Sequence, residues 1–462
     1  MQYIENRTFD ELRIGDSAEL VRTLEPEDIS LFAVSSGDVN PIHLETDFAE
    51  TTRFHEIIAH GMWGGALISA VLGTQLPGPG AIYLEQSLSF QRPVGVGDTV
   101  RVSVTVTKLE AGQRRVTLDC RCLNQDSEVV ITGEATVIAP KDKVRRPRAL
   151  LPRVQIYKRG QSFNEIFDLT RDLDPIVTAV VHPCNEISLK GALKAQDDGL
   201  IAPLLVGPRS KIMAAADAAE LDLSNAEIVE APHSHAAAEK SVELVRAGRV
   251  EALMKGALHT DEVMSAVVDR THGLRTERRV SHVFAIDAPS YPKPLFVTDA
   301  AINIAPDVDD KRDIVQNAID LARAVGVARP KVAILSAVET VSPKIPSTLE
   351  AAALCKMADR GQITGGDLDG PLAFDNAISA EAARTKNIAS RVAGDADILV
   401  APDLEAGNMI AKQLIYLGGA DAAGVVLGAR VPIMLTSRAD GELARRASAM
   451  LAQIFAHRQK AV

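Results

Sequence analysis

The sequence predicts two domains of different class, an α+β domain followed by a larger α/β domain. Residues 81–138 alternate between apolar and polar side chains, which is typical of an antiparallel sheet. Beyond residue 156, short apolar runs alternate with amphipathic stretches, as they do in a largely parallel sheet covered by helices. Between these patterns, residues 140–153 carry three prolines and six basic residues, which favours a stiff, solvated connection.

The first domain, which we place at residues 1–139, contains a short helix of small and apolar residues over 64–68. The strands after it are marked by apolar residues at every second position, with turns at 95–98 and at Gly112. These apolar positions are Val100, Val102, Val104, Val106, Val116, Leu118, Cys120, Cys122, Val129 and Ile131. We therefore expect an antiparallel sheet that follows one central helix.

The second domain follows a linker at residues 140–155 and occupies residues 156–462. Its apolar runs predict buried strands, and its amphipathic stretches predict helices. The predicted strands lie at 176–181, 204–206, 332–335, 398–400 and 425–427, and the predicted helices at 186–197, 210–220, 311–325 and 441–456. This alternation predicts a largely parallel sheet.

Composition argues against several classes of protein. A net charge of −11 disfavours nucleic-acid binding, which requires a basic face. The N-terminus lacks a basic-then-apolar signal layout, and no run of about eighteen apolar residues is available to span a bilayer. The four cysteines have neither the spacing of a zinc site nor that of a disulfide framework. We therefore expect a cytoplasmic protein with no membrane partner, no nucleic-acid partner and no metal.

The segment 37–62 carries residue types suited to acid/base chemistry. Asp38 and His43 flank an Asn-Pro turn, so that a carboxylate and an imidazole could hold one water molecule between them. A helix then opens at Gly61, and its free N-terminal amides favour a developing negative charge. The alternative interpretation is a turn whose Asp or Asn only caps the next helix.

This segment resembles the signature of the MaoC-like (R)-specific enoyl-CoA hydratases. The matching residues are Asp38, Asn40, Pro41, Ile42, His43, Phe48, Ala49, Ile58, Ala59, His60, Gly61 and Met62. The resemblance covers the first domain and implies a hot-dog fold, in which an antiparallel sheet wraps a central helix. It implies that Asp38 and His43 hold the water that adds to a 2-enoyl thioester, and that the Gly61 amide is an oxyanion donor.

By the same resemblance, Asn40, His60 and Met62 are expected to contact the substrate. A hot-dog domain that only binds coenzyme A or forms a dimer is the alternative, because a fold does not imply a function.

Six short strings in the second domain resemble, in order, the phosphate acetyl/butyryltransferase family. They are 253–260, 296–303, 332–336, 369–375, 402–408 and 435–440. The resemblance implies an α/β acyltransferase of two subdomains with a cleft between them, one at about 156–297 plus 434–462 and the other at about 298–433. It also implies a site for a coenzyme A thioester and inorganic phosphate.

The same resemblance indicates the residues of the transferase site. Ser437 and Arg438 fall on the family's Ser-Arg pair, and Asp440 is the nearest candidate for its aspartate, which the acetyltransferase spacing would place at Ala444. The Thr-Ser-Arg-x-Asp form is similar to the butyryltransferase branch, which implies four-carbon substrates. The residues expected to bind substrate are Lys255, His259, Thr298, Asp299, Asn303 and Asn408. Ordinary helix caps are the alternative interpretation of the Thr-Asp and Ser-Arg-x-Asp strings.

One arginine of the family falls on Ala266, and the sequence leaves its replacement open. The candidates are Arg270, Arg275, Arg278 and Arg279. A solvated basic turn is an equally good interpretation of this segment.

The whole arrangement resembles the family of bifunctional enoyl-CoA hydratase/phosphate acetyltransferases. This implies transfer of short acyl groups between coenzyme A and phosphate, hydration of 2-enoyl-CoA to (R)-3-hydroxyacyl-CoA, and no tightly bound cofactor. Two alternatives remain: a transferase whose first domain is a non-catalytic module, and a dehydrogenase-like second domain, which the missing dinucleotide fingerprint disfavours. We also expect a homo-oligomer, because a small sheet on one helix leaves an open edge and an apolar face.

Overall fold

The computed structural model describes residues 3–151, 154, 156, 160–435 and 441–460. The chain divides into two compact units, Met1–Tyr157 and Lys158–Val462. Among the described residues, every helix is too short or too polar to cross a membrane.

In the first unit, the described residues form a five-stranded antiparallel sheet of order β2-β4-β5-β6-β3 and a small β1–β7 pair. The strands are β1 Tyr3–Glu5, β2 Ser17–Thr23, β3 Ile82–Phe90, β4 Thr99–Glu110, β5 Arg115–Leu123, β6 Val129–Ile138 and β7 Arg145–Pro147. The helices are α1 Pro26–Ser36, α2 Pro41–Leu44, α3 Thr46–Thr51 and α4 Gly61–Thr74. The predicted antiparallel sheet with one central helix, and with it the hot-dog fold, is confirmed.

Helix α4 packs closely on the sheet at its start, where its buried face carries Gly64 and Gly65. A Cβ on Gly64 would lie 2.3 Å from Cδ1 of Ile131, so glycine brings the helix within van der Waals contact of β6. The alternating valines of β4 are fully buried, and so are Val116, Leu118, Cys120 and Cys122 of β5. The period of two in the sequence therefore marks the core face of the sheet.

Strand β3 is an edge strand whose outer surface is unusually apolar. Ile82, Tyr83, Leu84 and Phe90 are each at least 40% exposed. An exposed apolar edge favours pairing with another chain. Homo-oligomer formation stays a prediction.

Gly133 of β6 tolerates no larger residue, since a Cβ there would lie 1.9 Å from the Ser87 carbonyl oxygen of β3. The Ser87 carbonyl belongs to the backbone of β3 and cannot move aside as a side chain could. We therefore expect Gly133→Ala to lower the free energy of unfolding by about 1–3 kcal/mol. Gly112→Ala, at an exposed position where a Cβ meets nothing within 4 Å, is the matched control. Urea unfolding followed by circular dichroism would measure both, and equal midpoints for the two variants would contradict the argument.

In the second unit, the described residues form one eleven-stranded sheet of order β10-β9-β8-β11-β18-β17-β12-β13-β16-β14-β15. The strands are β8 Ile176–Val181, β9 Ile201–Gly207, β10 Glu227–Glu230, β11 Ala252–Lys255, β12 Ser281–Asp287, β13 Leu295–Thr298, β14 Lys331–Leu335, β15 Asp367–Leu372, β16 Ile398–Val400, β17 Asp421–Leu427 and β18 Ile433–Met434. The sheet is largely parallel, as predicted.

Helices cover both faces of this sheet. They are α5 Gln161–Asp168, α6 Glu186–Asp197, α7 Arg209–Ala218, α8 Ser234–Arg246, α9 Thr260–Val268, α10 Val308–Ala324, α11 Pro346–Asp359, α12 Phe374–Ile378, α13 Ala380–Thr385, α14 Leu404–Tyr416 and α15 Glu442–Lys460. The predicted α/β class is confirmed.

The middle of the sheet departs from a purely parallel arrangement. Strand β12 runs antiparallel to both of its neighbours, β13 and β17. Strand β17 lies between β18 and β12, so strands from the two sequence-predicted subdomains alternate at this point. The last helix, α15, packs against β17, α5 and α6.

Candidate functional site

The Asp38–His43 turn is built by two short helices. Helix α1 ends at Gly37, whose φ of 76° is the left-handed conformation that glycine adopts without strain. Helix α2 begins after Asn40, whose side-chain oxygen accepts the Ile42 amide at 3.3 Å. Asn40, predicted to contact substrate, is therefore the N-cap of α2. The Asp38 carboxylate is exposed and accepts the Asn40 amide at 3.2 Å.

His43 and His60 face each other across this turn, with ring centroids 4.0 Å apart. Nδ1 of His43 lies 2.8 Å from the Ile58 carbonyl oxygen, which favours the tautomer with a proton on Nδ1 and a free lone pair on Nε2. Nε2 of the buried His60 lies 3.0 Å from the Asp38 carbonyl oxygen. Both rings are thus oriented by backbone carbonyls, and His43 keeps one nitrogen for a ligand.

Asp38, His43 and His60 offer ligand atoms that all lie within 4.8 Å of one another. Among the described residues of the chain, no other group of three such side chains is gathered in this way. A carboxylate and two imidazoles at this spacing suit a water molecule or a cation. The structure thus brings together the acid/base pair that the sequence predicts.

The start of α4 supplies the predicted amide donor. His60 is the N-cap residue, and the amides at Gly61 and Met62 precede the first intrahelical hydrogen bond, from Trp63 to His60. A Cβ on Gly61 would lie 3.1 Å from the Phe90 ring, so glycine keeps this amide close to β3. The Met62 side chain is 55% exposed and lies outside the cavity described next.

A cavity of 390 Å³, which we call cavity 1, opens beside this turn. Its wall includes His43, His60 and Gly61, but the Asp38 side chain is not part of it. Two arginines at the cavity, Arg53 and Arg92, were not predicted. The remaining lining residues are Phe54, Ile58, Ala59, Trp63, Gly64, Phe90, Gln91, Pro93, Val94, Val100, Val130 and Ile131.

In the second unit, a cavity of 850 Å³, cavity 2, gathers three of the predicted substrate-binding residues. Lys255 ends β11 and is 7% exposed, and His259 is the N-cap residue of α9. The Asn408 amide donates to the Ala300 carbonyl at 3.1 Å. The other lining residues are Leu258, Thr260, His282, Phe284, Ala301, Leu404, Glu405, Met409 and Leu435.

The predicted Thr298-Asp299 pair is buried and does not line cavity 2. Asp299 is 3% exposed, and burial raises the pKa of its carboxyl group. Its oxygens accept four hydrogen bonds of 2.6–3.1 Å, from the amides of Ala301, Ile302 and Asn303 and from the Asn303 side chain. Asp299 is not a helix cap, because the next helix, α10, begins at Val308 with Asp307 as its N-cap; its carboxylate instead shapes the turn at 299–303.

A third cavity of 650 Å³, cavity 3, adjoins cavity 2, since Thr260 and Ala301 line both. Its wall carries Arg275, Arg278 and Arg279 together with Asn303. Neither Arg270 nor Ala266 lines it. Of the four candidates for the family arginine that falls on Ala266, three therefore line a cavity next to cavity 2.

The three arginines differ in their partners. Arg278 pairs with Asp320 at 2.5 Å, and Arg279 donates to the Asn303 side chain at 2.7 Å and lies 3.4 Å from Asp310. Among the described residues, the Arg275 guanidinium has no acidic partner. Arg275 is consequently the most available of the three for an anionic ligand.

The predicted Ser437, Arg438 and Asp440 lie outside the described residues. Leu435, which directly precedes this segment, lines cavity 2.

His282 is the site residue that sequence reasoning missed. It is a buried histidine of strand β12, next to the apolar run 283–286, and it lines cavity 2. A histidine beside an apolar run was the available signal, because buried polar groups normally need a partner.

Comparison with known proteins agrees with this two-part architecture. The model of the MaoC like domain matches residues 13–122, and that of the phosphate acetyl/butaryl transferase family matches residues 234–444. A phosphate acetyltransferase of Rhizobium meliloti is 62% identical over 299 residues, which are 65% of this chain and 95% of the relative.

Two solved structures are also similar. A branched-chain phosphotransacylase from Enterococcus faecalis is 29% identical with a TM-score of 0.54, over 61% of this chain and 99% of that one. The unliganded R-hydratase PhaJ1 from Pseudomonas aeruginosa is 44% identical with a TM-score of 0.33, over 34% of this chain and 99% of that one. The chain is therefore an enzyme that belongs to the phosphate acetyl/butyryltransferase family and carries a MaoC-like domain in front of the transferase domain.

Proposed function

We propose that this enzyme transfers a short acyl group between coenzyme A and inorganic phosphate, and that its first unit hydrates 2-enoyl-CoA to (R)-3-hydroxyacyl-CoA. The transferase proposal is carried by the 62% identity to a phosphate acetyltransferase. That identity favours acetyl-CoA, whereas the Thr-Ser-Arg-x-Asp form favours butyryl-CoA. Phosphate and coenzyme A act as substrates, with no tightly bound cofactor.

The charges around cavities 2 and 3 support the transferase proposal. The protein as a whole is acidic, so a site for phosphate and for the phosphates of coenzyme A must gather its cations locally. Such cations are present here: Lys255 lines cavity 2, and three arginines line the adjoining cavity 3. Arginine is suited to this role because its planar fork matches the oxygens of a phosphate.

In the proposed transfer, an oxygen of hydrogen phosphate attacks the thioester carbonyl carbon. The new C–O bond forms, the C–S bond breaks, and the phosphate proton passes to the leaving sulfur to give free coenzyme A thiol. The arginines offset the charge of the attacking dianion, and the acyl thioester occupies cavity 2. Ser437, Arg438 and Asp440 remain the proposed catalytic residues.

In the proposed hydration, Asp38 and His43 share the attacking water. His43 accepts the water proton at Nε2 while the oxygen bonds to carbon 3, and the protonated imidazole then delivers this proton to carbon 2 of the enolate. The Gly61 amide donates to the thioester oxygen while the enolate charge develops. The observation that carries this proposal is the convergence of Asp38, His43 and His60 within 4.8 Å beside cavity 1.

A single-activity transferase with a non-catalytic hot-dog domain is the competing proposal. It is favoured by one observation, the exposed Asp38 carboxylate outside the wall of cavity 1. This module would then bind coenzyme A or a second copy of the chain.

The test is to incubate the full-length protein with acetyl-, propionyl-, butyryl- and crotonyl-CoA and to measure free thiol with and without phosphate. Thiol release that depends on phosphate supports the transferase and ranks the acyl chains. Loss of the enoyl thioester absorbance from crotonyl-CoA without phosphate supports the hydratase. No thiol release with any acyl-CoA would overturn the transferase proposal.

Trp63 is expected to limit the acyl chain that the hydratase accepts. Its indole is 7% exposed and lines cavity 1 near Gly64 and Ile131. We expect Trp63→Leu to raise the ratio of kcat/KM for 2-hexenoyl-CoA over crotonyl-CoA about tenfold, because room for added methylenes is worth about 1–3 kcal/mol. Hydration assays with both substrates would measure it. An unchanged ratio in a folded variant would mean that the acyl chain avoids Trp63.

A further inference from the structure

The imidazole of His282 is a buried polar group at the wall of cavity 2 that the transfer described above does not use. The residue is 1% exposed, and its Nδ1 atom has no hydrogen-bond partner among the described residues. Native proteins seldom leave a buried polar side chain in this state unless a ligand or a chemical role requires it.

The neighbours of His282 hold its ring in one orientation. The Phe284 ring meets it edge to face, with centroids 4.3 Å apart. On β17, a Cβ at Gly424 would lie 2.6 Å from Nε2 and 3.1 Å from Cε1 of the imidazole. Glycine at this position thus makes room for the imidazole, whose Nε2 edge lies beside the Gly424 backbone.

Burial determines the charge of this imidazole. It lowers the pKa of His282 to about 4, so the ring is neutral near pH 7. A neutral imidazole offers one N–H donor and one lone pair. A proton on Nε2 leaves only a lone pair at the buried Nδ1 and places the donor at the other ring nitrogen of this cavity-lining residue.

We propose that His282 is a catalytic residue of the transferase, whose Nε2–H donates a hydrogen bond to the thioester carbonyl oxygen as it becomes an oxyanion. This inference rests on the proposed transferase function and assigns a residue to it. The bonds that form and break stay as described above, since His282 keeps its proton throughout. A role as a base for the thiol is disfavoured because protonation would place a cation in a buried site.

The test compares His282→Phe, which keeps the ring and removes both nitrogens, with His282→Gln, which keeps a donor. We expect kcat for phosphate-dependent thiol release to fall about 10²-fold in His282→Phe, the usual cost of one oxyanion donor, while KM for acetyl-CoA changes less than about threefold. We expect His282→Gln to retain more activity than His282→Phe. His457→Gln on α15, whose ring lies 2.8 Å from the Asp174 carbonyl oxygen and outside cavity 2, is the control.

A second measurement separates a chemical role from a structural one. A ketone analogue, in which CH₂ replaces the thioester sulfur of acetyl-CoA, binds without reacting, and its carbonyl stretch reports a hydrogen bond to the oxygen. We expect a lower stretching frequency on the wild-type protein than on either the free analogue or the Phe variant.

The outcomes distinguish this inference from the function it rests on. An inactive wild-type protein would overturn the transferase proposal itself. An active wild type with a folded His282→Phe variant within twofold of its kcat would overturn only the role of His282. If the Phe variant does not fold, the ketone analogue on the wild-type protein decides: a carbonyl stretch that is not lowered relative to the free analogue overturns the proposal.

Discussion

Substitution of Asp38 by Asn, or of His43 by Gln, is expected to lower kcat for hydration of crotonyl-CoA by about 10²–10⁴-fold, the usual contribution of a positioned acid or base. His43 has one nitrogen committed to the Ile58 carbonyl, so the change to Gln removes the only nitrogen that can accept a proton from water. The measurement is the loss of enoyl thioester absorbance under steady-state conditions. Phosphate-dependent thiol release by the same variants is expected to stay within twofold of wild type.

Two matched controls address nonspecific damage. Asp47→Asn and His55→Asn make similar changes at exposed positions of the same unit outside cavity 1, and Asn tolerates the positive φ of His55. Both controls are expected to hydrate crotonyl-CoA at the wild-type rate. If the wild type hydrates and the Asp38 and His43 variants hydrate equally well, the acid/base assignment is wrong. If the wild type does not hydrate at all, the non-catalytic module is the better description.

Arg275→Gln is expected to lower kcat/KM for phosphate-dependent transfer about ten- to hundredfold. The estimate follows from the loss of one charge-assisted hydrogen bond, about 1.5–3 kcal/mol, and from the position of Arg275 at cavity 3 without an acidic partner in the described chain. Arg278→Gln is expected to have a smaller effect, because its charge is already offset by Asp320. Steady-state rates with acetyl-CoA and phosphate varied independently would identify which substrate each arginine binds.

Arg270→Gln is the control for this series, since Arg270 is exposed and lies outside cavity 3. It is expected to leave both KM values unchanged. If Arg275→Gln has the same kcat/KM and KM values as Arg270→Gln, Arg275 does not bind substrate. Arg278 and Arg279 would then remain the candidates for the family arginine that falls on Ala266.

Much of the fold was predictable because its signals are local. The predicted strand at 176–181 coincides with β8, since a buried strand is a continuous apolar run of about this length. The predicted helix at 311–325 is α10, which starts three residues earlier because Asp307 accepts the Asp310 amide and caps it. Periodicity marks the buried face of a helix, whereas the cap decides where it begins.

The site was predictable only where its residues are close along the chain. Asp38, His43 and Gly61 lie within one turn and the next helix start, so a local motif described them. The arginines of cavity 3 lie in a short loop, and nothing local distinguishes Arg275 from Arg270. Arg278 and Arg279 differ from Arg275 because they form ion pairs with Asp320 and Asp310, which lie on helix α10, far along the chain.

The sequence alone determined the two domain classes, the strand faces, the family resemblances and the hydratase-like turn, because each follows from residue type at short spacing. The tertiary structure alone decided that β12 runs antiparallel in the middle of the sheet and that the buried Asp299 shapes a turn. It also decided that Arg275 lines cavity 3 without an acidic partner in the described chain, and that His282 lines cavity 2. These properties depend on burial and on partners that lie far apart along the chain. Such contacts exist only after the sheet has formed.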